Sequence, residues 1–472
     1  MKKPDMQEAK IRTGNKDKKI IRDEYIIPES MKNIGLNKTY CVLTYGCQMN
    51  EHDSENIKAI LSDMGYKENS IMEESDIIIL NTCAIRENAH NKVFGMLGRL
   101  KHLKQDRSDI IIGLAGCMSQ EEGVIEEIVN KRPYVDIVFG THNIHRLPLI
   151  LEEYYNKKKP EIEVYSVEGD VIEGIPYKRD SKIKAWINIM YGCDKFCTYC
   201  IVPYTRGSQR SRLKEDIVLE VEELIKDGYK EVTLLGQNVN AYGKDLYDNY
   251  NLANLLEDVS KTGIDRIRFV TSHPWDFTDE MIDVIKKHSN LMPYIHLPIQ
   301  SGSNKILKLM GRRYTKEGYL ELFNKLKESI DNVSITTDII VGFPGETEEE
   351  FLETLDVVNK CQFDGAFTFI YSPREGTPAS KMEDNVSIEE KNDRLHRLND
   401  IINNYSLKNN QKYLNKVVKV LVEGESKKKG MYMGYTETMK LVNFKGKEDT
   451  VGKIVDVIIT DVKSFSLDGE IL

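Results

Sequence analysis

No apolar run in this 472-residue chain approaches the ~20 residues that a membrane-spanning helix needs. The N-terminus, MKKPDMQEAKIRTGNKDKKIIRDEY, is basic but lacks the apolar stretch of a secretory signal. These absences predict a cytoplasmic protein with no membrane partner, in a compartment where thiols stay reduced. Cysteine is scarce: eight in so long a chain cannot build a disulfide scaffold, so close spacing reads as metal binding or redox chemistry. Excess positive charge is missing too. The net charge of −9 speaks at first sight against a polyanion binder. The deficit is uneven, however: residues 411–472 hold 11 Lys against 9 Asp and Glu, a net of +2 that leaves −11 for the rest. Local patches, not the total, decide nucleic-acid binding. With 40% hydrophobic and 30% charged residues the composition is that of an ordinary globular protein, and the length suggests about three domains.

Residues 1–37 are polar and without sustained periodicity, which predicts a mobile tail. Then TYCVLTYGC, SDIIILNTC and SDIIIGLAGC form three short β-type runs, each ending in a cysteine. Helical stretches follow near residues 53–64, 84–103 and 120–130, so residues 38–156 read as a βα domain with a parallel sheet. Residues 157–180, rich in Lys, Glu and Pro, read as a linker. Six further β-type runs begin at residues 184, 231, 265, 294, 333 and 365 and alternate with helical stretches. They predict a (βα)6 open or closed barrel over residues 181–410. Residues 411–472 are Val- and Ile-rich with turns at GESKKKG, KGKED and SLDGE, which predicts a small all-β, OB-like barrel of about five strands.

What YGCDKFCTYC lacks is a fourth cysteine. Cys193, Cys197 and Cys200 lie on a loop directly after the first barrel strand. Three thiolates hold three irons of a [4Fe–4S] cube and leave the fourth iron open to a chelating amine and carboxylate. S-adenosylmethionine has both groups. A zinc knuckle with a distant fourth ligand is the plainer reading, but the mouth of a barrel is where chemistry sits in such folds. Cys47, Cys83 and Cys117 are 36 and 34 residues apart. That spacing means nothing for a zinc finger, whereas parallel βα units return the chain to one sheet edge and bring the three together. No His, Glu or Asp constellation accompanies either triad, which favours cluster ligation over acid–base work. Cys41, inside a strand, and Cys361, in a helix, read as core residues.

The Cys193–Cys200 motif resembles that of the radical S-adenosylmethionine superfamily over about residues 184–370. Two open triads and a β-barrel tail together resemble the radical S-adenosylmethionine methylthiotransferase family over about residues 38–472. Within that family NTCAIRENAHNKVFG, GCDKFCTYCIVPYTRG, HLPIQSGSNKILKLMGR and FIYSPREGTPA look like the tRNA-2-methylthio-N6-dimethylallyladenosine synthase branch. The resemblance implies an N-terminal cluster domain, a radical S-adenosylmethionine domain and a C-terminal TRAM domain. It implies two [4Fe–4S] clusters and S-adenosylmethionine as cofactors. The cluster on Cys193, Cys197 and Cys200 would cleave one S-adenosylmethionine, and the 5′-deoxyadenosyl radical would attack C2 of N6-isopentenyladenosine just 3′ of a tRNA anticodon. The cluster on Cys47, Cys83 and Cys117 would carry the sulfur, and a second S-adenosylmethionine the methyl. The same chemistry on threonylcarbamoyladenosine or on a ribosomal-protein aspartate is the near alternative, and a non-catalytic zinc-stapled RNA-binding protein the distant one. Expected partners are the tRNA anticodon stem-loop and an electron donor such as flavodoxin or ferredoxin, with the chain itself a monomer.

The resemblance also places Tyr199 beside the adenine, Gly236 and Gln237 at the methionine amino group, and a cofactor contact around residues 341–345, including Val341 and Gly342. Gln300, with Ser301 at another strand end, is a further candidate cofactor contact. Thr347 and Glu350 have the spacing of a capping box, and the helix start after Gly-Phe-Pro-Gly could receive a carboxylate or a ribose. Arg206, Arg210 and Arg212 follow the cysteine loop and could pair with phosphates or the cofactor carboxylate. Trp275, beside His273, could stack on a flipped base. Lys427, Lys428 and Lys429 interleave with Tyr432, Tyr435 and Phe444, a pattern suited to phosphate pairing and base stacking.

Overall fold

The computed structural model describes residues 20–21, 25–84, 87–165 and 171–472. The chain forms two compact units. The first takes residues 1–180, 188–196 and 200–212; the second takes 181–187, 197–199 and 213–472.

In the first unit six parallel strands lie in the order Lys67–Glu68, Thr39–Tyr45, Ile77–Thr82, Ile111–Gly116, Ile137–Phe139 and Glu161–Glu163. Ile77–Thr82 and Ile111–Gly116 are buried at every position. Both sheet faces are covered, so these strands are continuous apolar runs instead of alternating ones. On one face Ile57, Ile60 and Leu61 of the helix Gln48–Asp63 and Leu147, Ile150 and Leu151 of the helix Leu147–Lys157 pack on Tyr40, Ile77, Ile79 and Ile137. On the other, Val93, Leu97 and Leu100 of Glu87–Asp106 and Val124, Ile125 and Ile128 of Glu122–Lys131 pack on Ile78, Leu80, Ile112 and Leu114.

Two expectations need correction here. The mobile tail does not extend over residues 25–37: a 3-10 turn at Glu29–Met31 seats Met31 in the core beside Tyr40, with Tyr25, Ile27 and Ile34 against it. Its apolar residues follow no helix or strand period, so the pattern gave no sign of burial. The rest of that stretch, residues 1–19 and 22–24, lies outside the described residues. Nor is 157–180 a free linker. Glu161–Glu163 is an edge strand, Val171–Ile172 pairs with Ile20–Ile21, and Glu173 holds Arg212.

The second unit contains the expected barrel strands. Lys184–Asn188, Glu231–Leu235 and Arg266–Phe269 form one group, the last two parallel, and Tyr294–His296, Ser334–Val341 and Gly365–Ile370 form a parallel one. An Ile267–Leu291 bridge continues the parallel pairing from the first group toward the second. The C-terminal strands close a five-stranded barrel in the order Val417–Glu425, Met431–Thr436, Leu441–Lys445, Leu467–Ile471 and Ile454–Val462. Its core is Val420, Val422, Val442, Phe444, Val457 and Ile459. Named bonds fix this barrel to the strands: Arg266 donates to the Tyr435 and Lys419 carbonyls at 2.8 and 3.0 Å, and Lys184 pairs with Glu423 at 2.7 Å. Cys41 and Cys361 are buried, and burial pushes the Cys361 thiol up to about 12.

Candidate functional site

Tyr45 stands opposite Thr82, and Thr82 opposite Gly116, so three neighbouring strands end in register. Cys47, Cys83 and Cys117 come directly after those ends. The strand Lys67–Glu68 lies on one side of Thr39–Tyr45 and Ile77–Thr82 on the other. Cys47 and Cys83 therefore flank the point where strand order reverses, the usual ligand crevice of an open α/β sheet. The Cys83 N–H donates to the Tyr45 carbonyl at 2.9 Å. Asn50 braces the crevice: its amide donates to the Thr82 carbonyl at 3.1 Å, and its Oδ1 accepts from the Cys47 N–H at 3.3 Å. Gly116 adopts φ +93°, and a Cβ there would stand 2.4 Å from the Thr82 carbonyl oxygen. The Cys47 thiol is pulled down to about 6, first by the hydrogen bond from Cys83 and then, against burial, by Arg206. Cys117 goes the other way, pushed up by burial with Arg206 pulling against it. Three packed thiols cannot all ionise unless a metal group shares their charge.

Arg206 completes this site. Its Nε donates to Cys117 Sγ at 3.1 Å and its Nη2 to Asp53 Oδ2 at 2.6 Å. The loop that carries it also packs here: Ile201 and Tyr204 form an apolar cluster with Ala84 and Cys117. Thr141 Oγ1 donates to the Thr205 carbonyl at 3.1 Å. The expected phosphate contact of Arg206 is therefore corrected. Its guanidinium is buried and engaged, as are those of Arg210, over the Tyr191 ring, and Arg212, bound to Glu173 at 2.7 and 2.9 Å. A basic run looks the same in sequence whether it faces solvent or buried carboxylates; the acidic partners lie far off in the chain.

Cys193 and Cys200 belong to the first unit and Cys197 to the second. The Cys193 N–H donates to the Gly207 carbonyl at 3.1 Å, and Met190–Tyr191 pairs antiparallel with Arg210–Ser211. In the second unit Thr198 donates to the Met310 and Leu309 carbonyls at 2.9 and 2.8 Å. Arg312 Nη1 donates to Cys197 Sγ at 3.5 Å. Tyr199 meets Phe343 edge-on, with centroids 6.5 Å apart. None of the eight cysteines forms a disulfide. Among the described residues no three Cys, His, Asp or Glu side chains have the closeness that one metal ion needs; a cubane asks for less, because each thiolate sits on its own iron.

The remaining candidates divide. Gln300 is buried with φ +74°, its N–H on the Asp338 carbonyl at 2.9 Å; Thr271, past the end of another strand, has φ +64°. Strained backbone of this kind gathers at functional sites. Gln237 carries a buried Oε1 with no hydrogen-bond partner among the described residues. The Gly236 carbonyl accepts from the Thr271 hydroxyl. Val341 is wholly buried, and the Gly342 N–H is taken by Glu346 Oε2 at 2.6 Å. The Thr347–Glu350 capping box forms as its spacing requires. In the small barrel Lys427, Lys428 and Lys429 are exposed. The stacking role of Tyr432 is corrected: its ring packs in the barrel core, where strand alternation puts it with Phe444. Trp275 is 46% exposed with Arg313 over its ring, and Phe367 and Phe369 also face out. Sequence reasoning missed Asp53 and Arg312. Their partners, Arg206 for Asp53 and Cys197 for Arg312, lie more than a hundred residues away, and no local pattern marks them.

Residues 39–140 match uncharacterized protein family UPF0004, residues 187–358 the radical SAM superfamily and residues 411–472 the TRAM domain. A relative from Halalkalibacterium halodurans, named tRNA-2-methylthio-N(6)-dimethylallyladenosine synthase, is 55% identical over 99% of this chain and 87% of its own length. Relatives of the same name from Bacillus subtilis and Staphylococcus epidermidis are 55% and 56% identical, covering 92% and 91% of those proteins and 99% of this chain. The radical S-adenosylmethionine methyltransferase TsrM from Kitasatospora setae, solved with tryptophan and a cofactor analogue, shares the fold at a TM-score of 0.52. It is 13% identical, over 73% of this chain and 75% of that one. More than half of the residues agree with the named relatives along nearly the whole chain, and the chain belongs to the tRNA-2-methylthio-N(6)-dimethylallyladenosine synthase family.

Proposed function

We propose that this chain methylthiolates C2 of N6-isopentenyladenosine beside the anticodon of tRNA. The observation that carries the reading is the first triad. Cys47, Cys83 and Cys117 stand at one sheet edge, and the loop that continues from Cys200 is packed on them. The donor set fits two open iron–sulfur clusters: two groups of three thiols, no disulfide, and one guanidinium on a sulfur of each group. When bound, the clusters and S-adenosylmethionine supply the radical, the sulfur and the methyl group.

The chain's own residues do the rest. Cys193, Cys197 and Cys200 hold the cofactor-binding cluster, and Cys47, Cys83 and Cys117 the sulfur-bearing one. Tyr199, which meets Phe343 edge-on, would flank the cofactor adenine. Gln237, whose buried Oε1 has no hydrogen-bond partner among the described residues, would with Gly236 receive the cofactor amine, and Gln300 would add a contact from another strand end. Lys427, Lys428 and Lys429 contact RNA phosphates, while exposed Trp275 offers a ring for a base. An aromatic C–H yields to no side-chain base at neutral pH, so radical chemistry is the reasonable route to C2. A flavodoxin- or ferredoxin-type protein supplies electrons, and the chain works as a cytoplasmic monomer. No helix among the described residues is long and apolar enough to cross a membrane.

The test is anaerobic. Reconstituted protein is incubated with S-adenosylmethionine, a strong reductant and tRNA bearing isopentenyladenosine, and the digested nucleosides are weighed. A gain of one methylthio group on that nucleoside is expected. Intact cofactor cleavage with an unaltered nucleoside would move the substrate elsewhere.

A further inference from the structure

We propose that Arg206, with Asp53 as its counter-ion, is a positioning residue that raises the reduction potential of the cluster held by Cys47, Cys83 and Cys117. This rests on the reading that those cysteines hold a cluster.

The geometry is that of a built contact. Arg206 and Asp53 are 5% and 4% exposed, and Cys117 is 3% exposed. A guanidinium is rarely buried unless its charge is met. Asp53 Oδ2 at 2.6 Å meets it, which leaves the Nε–H free to point at sulfur, 3.1 Å from Cys117 Sγ. A guanidinium is not deprotonated in proteins, so Arg206 is a permanent cation. Cys47 Sγ is met by neutral groups, the Cys83 thiol and the Met49 and Asn50 N–H groups, so Arg206 brings a charge that they do not. Arg206 comes from the stretch that follows the other cysteine motif, six residues past Cys200. At the second triad Arg312 donates to Cys197 Sγ and also meets the Tyr314 hydroxyl and the Pro298 carbonyl.

Reduction of a cluster adds one negative charge. An N–H···S bond from a cation favours the reduced form, and the potential rises. The counter-ion works in the opposite sense by cancelling part of that field. The two side chains therefore make opposite predictions, which a loop staple would not.

The experiment removes the other cluster and reads a potential. Full-length protein with Cys193, Cys197 and Cys200 changed to Ala is loaded with iron and sulfide, then titrated against mediators with the reduced cluster followed by electron paramagnetic resonance. Arg206→Gln in that background should shift the midpoint to more negative values, and Asp53→Asn to more positive ones. An unchanged midpoint in Arg206→Gln, or shifts of the same sign in both, would overturn the proposal. If Arg206→Gln fails to load, Asp53→Asn decides alone: a positive shift supports the proposal and no shift or a negative one refutes it. Failure of the parent triple variant to bind iron would instead remove the cluster assignment beneath it.

Discussion

Asp364 offers a strict test of how the C-terminal barrel is attached. Its carboxylate is 1% exposed. Oδ2 accepts from the Ile335 N–H at 3.1 Å and pairs with Lys327 at 3.2 Å, while Oδ1 faces Lys440 at 3.4 Å and Lys412 at 3.9 Å. Lys440 adds a bond to the Asp364 carbonyl at 3.2 Å. Burial pushes the carboxyl up, but Lys440, Lys327 and Lys412 together hold it below its ordinary range. Lys440 and Lys412 are themselves pushed down, burial first, because one carboxylate serves three ammoniums. Asp364→Asn keeps the shape and removes the charge, leaving buried lysines uncompensated. Breaking a buried pair in this way costs about 3–5 kcal/mol, a fall of about 6–20 °C in the transition of that unit. Differential scanning calorimetry reads it. Asp356→Asn, which removes the exposed partner of Lys360, is the control and should cost less than about 1 kcal/mol. The pH sign follows from the depressed carboxyl. Its stabilisation is complete above the unfolded value of about 3.9 and is lost as pH falls through the folded one. Asp364→Asn should abolish that part of the acid sensitivity. A shift no larger than the control's would refute the view that this carboxylate anchors the barrel.

Three further outcomes are expected. Cys200→Ala should lose cofactor cleavage, whereas Cys83→Ala should keep cleavage and lose sulfur insertion; full methylthiolation by Cys83→Ala would end the second-cluster assignment. Gly342→Ala should destabilise by about 1–2 kcal/mol, since φ is +68° and the new Cβ would stand 2.3 Å from Lys391 Cγ; an unchanged thermal midpoint would show that Lys391 simply moves aside. Changing Lys427, Lys428 and Lys429 together to Ala should weaken tRNA binding and flatten the slope of log affinity against log salt by about 2 if all three meet phosphates, and an unaltered slope in a filter-binding titration would clear that turn of any RNA role.

Local pattern reached far in this chain. β-type runs separated by helical periods are enough to announce parallel sheets, because the apolar period is set by which faces are buried, and it survives without knowledge of partners. The cysteines were legible for the same reason: one ends each of three βα units, and parallel topology has only one edge to which such residues can return. Charge was not legible. Arg206 in its basic run and Lys427 in its own look alike in sequence, yet one lies buried against Asp53 and Cys117 and the other is exposed. Aromatics behaved likewise: Tyr432 went to a core and Trp275 to the surface. Met31 was read as tail because its core neighbours do not share a periodic segment with it. The sequence by itself determined the elements, their order and the edge where the first thiols gather, all consequences of short-range period and chain direction. Tertiary structure alone decided which charges and rings face solvent, because their partners come from distant segments that only folding brings within reach.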